Sequence, residues 1–236
     1  MDWARGAWRF GALLCFAWSW AALAQGASAL SPSPSAAPLP ARIDKLDFAG
    51  QPSSADARQM AQWAVDTDHV LGKPFAVVDK QQARIYVFDA SGRLVGSAAS
   101  LLGLAKGDAS APGVGAKVST GIPPGERTTP AGRFASEPGH NAKGEAIVWV
   151  DYDAAVAIHR LRPAPAAERR PQRLASGNPE DRRISLGCIV VEPEFYDAVV
   201  APTLGRQRGV VYVLPDSPEA EPLFSRGKLV DQVAAR

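Results

Sequence analysis

The chain has 236 residues, with 26 Lys and Arg against 24 Asp and Glu, for a net charge of +2. A protein that grips nucleic acid needs a basic stripe, so this balance excludes nucleic acid as a partner. One late cysteine and three scattered histidines lack any short ligand spacing, so the sequence calls for no metal and no cofactor.

Residues 1–24 read as an export signal. Arg5 and Arg9 give the positive start, Phe10 to Ala24 is apolar, and Ala22-Leu23-Ala24 supplies a small-x-small cleavage pattern. The apolar stretch is shorter than the ~20 residues a membrane span needs; an uncleaved anchor is the alternative. Leu13 and Leu14 precede Cys15, so the small residue expected before a lipid-modified cysteine is missing. Cleavage near Ala24 removes Asp2, Arg5 and Arg9, leaving 24 basic and 23 acidic residues, a net of +1. Residues 25–42 form a Pro/Ser/Ala-rich linker that cannot bury a core.

Segment 43–73 is expected to be helical over 54–68. Met60, Trp63 and Ala64 recur at i, i+3 and i+4, and Ser53 or Ser54 can cap the start. From Pro74 the period changes. Phe75 to Lys80, Ile85 to Phe88 and Leu94 to Ser97 read as strands separated by turn residues, and 103–128, rich in Gly and Pro, reads as loops. Ala146 to Val150 and Val156 to His159 are two further strands. Residues 193–204 read as a helix opening at Pro193, and Val210 to Leu214 as a final buried strand. Short strands at this spacing predict a mostly β barrel or sandwich with a few short helices. Residues 217–236 are expected to be a loosely attached tail.

Export leads into an oxidising space, where structural cysteines normally pair. With Cys15 inside the signal, Cys188 is left alone in Ser185-Leu186-Gly187-Cys188-Ile189, a thiol to flag as reactive. A cysteine buried as a small apolar residue is the alternative. A thiol nucleophile needs a base, and histidine suits neutral pH. His69 ends the N-terminal helix, where a positive charge is favoured. His140 reads as a loop residue. His159 closes a buried strand that would deliver its ring to the rim of the sheet; a structural histidine there is the other reading.

Three stretches, in order, resemble L,D-transpeptidases of the YkuD type. Thr129-Pro130-Ala131-Gly132-Arg133-Phe134 resembles their Thr-Pro-x-Gly-x-Phe segment. Ile158-His159 resembles their Ile-His strand end, and Ser185 to Ile189 their Ser-His-Gly-Cys signature, with Leu186 in place of the histidine. The resemblance runs over 74–216. It implies a periplasmic enzyme on an L,D-transpeptidase-like β-barrel that cuts peptidoglycan stem peptides through a thioester, which a stem-peptide amine, a protein amine or water resolves. Matching positions make Cys188 the nucleophile and His159 the base. The backbone N–H groups of Leu186, Gly187 and Cys188 form the oxyanion hole, and the residue after His159 supplies an orienting carbonyl. Carbapenem acylation of Cys188 is implied too.

The chain departs from this pattern at Leu186, at Val190 where a polar residue is usual, and in an enlarged His159–Cys188 interval. That interval carries seven arginines. They form either a solvated face or a lid that grips carboxylates with bidentate forks. Arg183 is the first candidate for substrate binding, with Arg160 and Ser185 beside it; Ser185 can equally be a turn-former. Two rival readings remain: a cell-wall-binding module with a degenerate site, and an L,D-carboxypeptidase.

Overall fold

The computed structural model of the chain describes residues 46–216. The expected export signal (1–24), the linker (25–42) and the tail (217–236) lie outside the described residues. Helix α1 (Ala55–Asp66) begins at Ser54, whose hydroxyl accepts the Ala57 N–H at 3.1 Å and donates to Asp79 at 2.6 Å. Ala57, Met60, Ala61 and Ala64 are its buried face.

Eight strands form one sheet. In chain order they are β1 (Phe75–Asp79), β2 (Arg84–Phe88), β3 (Leu94–Ala99), β5 (Gly132–His140), β6 (Ala146–Asp151), β7 (Val156–Arg160), β9 (Ile189–Val191) and β10 (Gly209–Val213). Two short strands, β4 (Leu102–Gly103) and β8 (Arg183–Ser185), pair separately. The sheet order is β3-β2-β1-β10-β5-β6-β7-β9. Pairing is antiparallel except for β1 with β10 and β7 with β9. Leu101, just past β3, exchanges two backbone hydrogen bonds of 2.8 and 2.9 Å with Val190 of β9. That bridge joins the two outer strands and nearly closes the sheet into a barrel, as the sequence predicts.

The inner core draws on every strand of the sheet but β3, with Val78, Val87, Phe134, Val148, Ile158, Ile189 and Val211 among its members. The helical run 193–203 contributes Tyr196 and Val200 to it. That run is α-helical at α3 (Pro193–Phe195), π-helical over Tyr196–Val200, and α-helical again at α4 (Ala201–Thr203). The other face of β1, β2 and β10 packs on α1 through Phe75, Val77, Tyr86, Phe88 and Tyr212. Coverage on both faces explains why these strands read as continuous apolar runs. His69 lies beyond the helix end. Its ring sits 4.6 Å from that of Trp63, and Nδ1 lies 3.0 Å from the Tyr212 hydroxyl, which gives it a packing role.

One expectation is corrected, and two features appear that the sequence did not show. His140 is the last residue of β5, not a loop residue; Pro138 and three neighbouring small residues hide that strand's alternation. Strands β8 and β9, three residues each, are too short to show a period. The core is also not held by apolar packing alone. Lys80, fully buried, donates to Asp108 at 2.7 Å and to the Gly107 and Thr129 carbonyls, and stands 3.3 Å from Asp216.

Candidate active site

Ile158 of β7 pairs with Ile189 of β9, and His159 with Val190. Ile158 and Ile189 face the inner core. Alternation therefore turns His159 and Cys188 to the opposite, outer face. They stand there as diagonal neighbours on adjacent strands. On that face Cys188 packs against a small cluster of Leu101, Leu174 and Val190.

The turn that carries Cys188 is tied by two side chains. Thr129, fully buried, accepts the Gly103 N–H at 2.9 Å and donates to the Gly187 carbonyl at 2.8 Å. Ser185 donates to the Cys188 carbonyl at 2.6 Å and accepts the Gly187 N–H at 3.1 Å. Gly187 has φ +132°, and a Cβ there would stand 2.9 Å from the Thr128 carbonyl oxygen, so no side chain fits without displacement. Because Ser185 holds the Gly187 amide, that N–H is engaged in this structure. The Leu186 and Cys188 amides are then the candidates for an oxyanion hole. Leu186 is 40% exposed, so the leucine does not order the turn by packing.

His159 is 8% exposed, and its Nδ1 lies 2.7 Å from the Arg160 carbonyl. A carbonyl only accepts, so the neutral ring carries its proton on Nδ1 and presents its lone pair at Nε2. Burial pushes the imidazole pKa down to about 4, and the Arg162 charge adds to that; the Arg160 carbonyl and Glu145 pull the other way. The thiol of half-buried Cys188 donates to the Ala155 carbonyl at 3.5 Å. Burial raises its pKa, with opposing contributions from the Ala157 backbone and the charges of Arg162 and Arg170. At neutral pH the pair is therefore thiol and imidazole, not thiolate and imidazolium.

The enlarged interval is folded. Helix α2 (Arg170–Ala175) plants Leu174 against Val190 and Leu101. Arg182 is buried against backbone carbonyls of Gln82, Ala83 and Ser176. Arg183 is buried too: its guanidinium meets Asp216 at 2.5 Å and the Lys80 carbonyl at 3.0 Å, so it is committed to that cluster and not presented to a substrate. Arg160 lies on Asp197 at 2.5 Å and over the Tyr196 ring at 4.1 Å, away from the thiol. The arginines whose charges reach both Cys188 and His159 are Arg162 and Arg170. Arg162 stands 2.6 Å from Glu145, and Arg170 pairs with Glu168. Sequence reasoning placed both in the interval but singled out neither, since nothing in the order of residues tells which arginines fold inward.

No family model matches the chain, and no curated protein matches it. Solved structures do. An L,D-transpeptidase in complex with imipenem is 18% identical, with 60% of this chain and 58% of that one covered and a TM-score of 0.34. The catalytic domain of an E. faecium L,D-transpeptidase is also 18% identical, with 61% and 98% covered and a TM-score of 0.33. The helical cell shape determining protein Pgp2 from Campylobacter jejuni is 15% identical, with 61% and 48% covered and a TM-score of 0.40. The chain thus spans under two thirds of the length of the first of these. What the site can do rests on its own geometry.

Proposed function

We propose that this chain is an exported, periplasmic cysteine L,D-transpeptidase that acts on peptidoglycan stem peptides. The observation that carries the reading is the shared outer face of Cys188 and His159 on paired strands, with Nδ1 of the imidazole held by a carbonyl and Nε2 left as base. The reading starts from a neutral pair. As Sγ swings from the Ala155 carbonyl toward the substrate, its proton passes to Nε2 while sulfur attacks the donor carbonyl. The Leu186 and Cys188 amides receive the developing oxyanion, and Arg162 and Arg170 favour negative charge there. Oxyanion donors of this kind are each worth about 3–4 kcal/mol. The C–N bond breaks, the leaving amine takes the proton from imidazolium, and a thioester remains. An acceptor amine, or water, then displaces the thiol, with His159 removing the acceptor's proton.

The test is the full chain with defined tetrapeptide muropeptides, its products read by mass. Acyl transfer that vanishes in Cys188→Ala and a carbapenem adduct on the wild-type thiol support the reading; turnover unchanged in Cys188→Ala refutes it.

A second reading has its own support. The raised thiol pKa and the engaged Gly187 amide are what a cell-wall-binding module with a relic site would also have. Saturable muropeptide binding without any adduct or product assigns the chain to that class.

A further inference from the structure

We propose that the outer face of β5 and β6, beside the Cys188 site, is a saccharide-binding platform on which Trp149 and Tyr152 stack against sugar rings. It goes beyond acyl transfer and rests on that reading only for the source of the sugar, the glycan that carries the stem peptides.

Strand register locates the platform. Glu137 of β5 pairs with Trp149 of β6, and Trp149 with Ala157 of β7. Ala157 lies two residues before His159, so all four residues share the face that carries Cys188. A cleft of about 740 Å³ opens at the end of these strands, lined by Trp149, Tyr152, Glu137 and Asp151 and, from the inner core, by Phe134 and Val150. That volume falls within the range of about 300–1,000 Å³ typical of small-molecule sites. Ala154, one of the lining residues, directly precedes Ala155, whose carbonyl accepts from the thiol.

The rings are set for stacking. Tyr152 is 75% exposed, and it meets half-buried Trp149 edge to face at 5.0 Å. A Cβ at Gly139 would lie 2.5 Å from Cδ1 of Trp149, so glycine is what lets the indole lie down on β5. A ring as exposed as that of Tyr152 has a free apolar face to offer a ligand besides its contact with Trp149. Sugars offer C–H faces to such rings, and hydroxyl and acetamido donors to carboxylates. Both carboxylates are already oriented: Glu137 meets Arg208 at 2.6 Å, and Asp151 accepts the Ala154 N–H at 3.0 Å, which leaves acceptor capacity on each. The cleft lining contains no Lys or Arg, which suits a neutral, donor-rich ligand over an anion.

Chitotetraose, a β-1,4-linked N-acetylglucosamine oligomer, is the probe. It is titrated by calorimetry into the full chain carrying Cys188→Ala, which removes turnover. Saturable binding is expected, weakened about ten-fold by Tyr152→Ala, the scale of one good stacking contact, and retained by Tyr152→Phe. Absence of saturation at millimolar probe overturns the proposal. A dissociation constant unmoved by Tyr152→Ala does so too, as does displacement by Nα-acetyl-lysine, which would make the cleft an ammonium site. If chitotetraose binds as described while wild-type Cys188 is never acylated, the transpeptidase reading falls and the platform stands.

Discussion

Thr129 and Gly187, 58 positions apart, are joined by a 2.8 Å hydrogen bond from the threonine hydroxyl to the glycine carbonyl. The same oxygen accepts the Gly103 amide. One buried side chain thereby fixes the turn that presents Cys188. Each buried polar group left without a partner costs about 1–3 kcal/mol. Thr129→Val, which keeps the shape and loses the hydroxyl, is expected to lower stability by several kcal/mol on denaturant titration and to slow acylation of Cys188. Thr129→Ser should keep most of both.

Gly187→Ala tests the same turn from the backbone. A residue forced into this region of φ costs about 1–3 kcal/mol, and the added carbon meets the Thr128 carbonyl as well. We expect a lower melting temperature together with a loss of acylation. Wild-type stability in the alanine variant would show that the turn tolerates displacement.

The depressed imidazole sets a pH dependence of stability. His159 has pKa about 4 in the fold against an ordinary 6.5. The unfolded chain therefore binds a proton between those values that the folded chain refuses, so stability falls as pH drops from about 6.5 to 4. At about 1.4 kcal/mol per unit, the loss is about 3 kcal/mol. His159→Gln should remove that slope from urea midpoints measured across the range. An unchanged slope would place the proton uptake elsewhere.

Burial raises the Cys188 thiol, and Arg162 and Arg170 restrain the rise. Alkylation by iodoacetamide should therefore show an apparent pKa above that of an exposed cysteine, and Arg162→Gln with Arg170→Gln should push it higher. A midpoint near neutrality would mean a preformed thiolate and a mechanism other than the concerted one above.

Lys80 is surrounded by Asp108 and Asp216. Lys80→Met removes the cation nearest Asp108 and leaves Asp216 to Arg183, so it should lower stability on thermal unfolding by less than the about 3–5 kcal/mol of a buried pair broken outright. Hydrogen bonding from Arg183 and Gly107 and the Lys80 charge hold Asp216 below the usual carboxylate range, against the effect of burial. Its contribution is present above that range and lost as pH falls through the lowered value.

What the sequence made legible follows from how locally each feature is encoded. Helix α1, with its Ser54 cap, and β1, β2, β3, β6, β7 and β10 show in apolar period and turn residues. Strand β5 does not, because Gly132, Pro138 and Gly139 mask it. At the site, the Cys188 and His159 positions are marked by short motifs. The fates of Arg160 and Arg183 depend on partners 37 and 33 positions away, Asp197 and Asp216, so nearness to Cys188 along the chain misdirects. The thiol's protonation state is likewise a property of packing density, which no motif records.

Strand β10, the last of the sheet, lies between β1, the first, and β5. Its absence would split the barrel wall down the middle. A nascent chain therefore holds no finished wall until Gly209–Val213 has emerged, and pairing across more than a hundred residues makes assembly a late, concerted event. Any truncation ahead of this strand is expected to yield an aggregation-prone fragment, not a smaller working barrel.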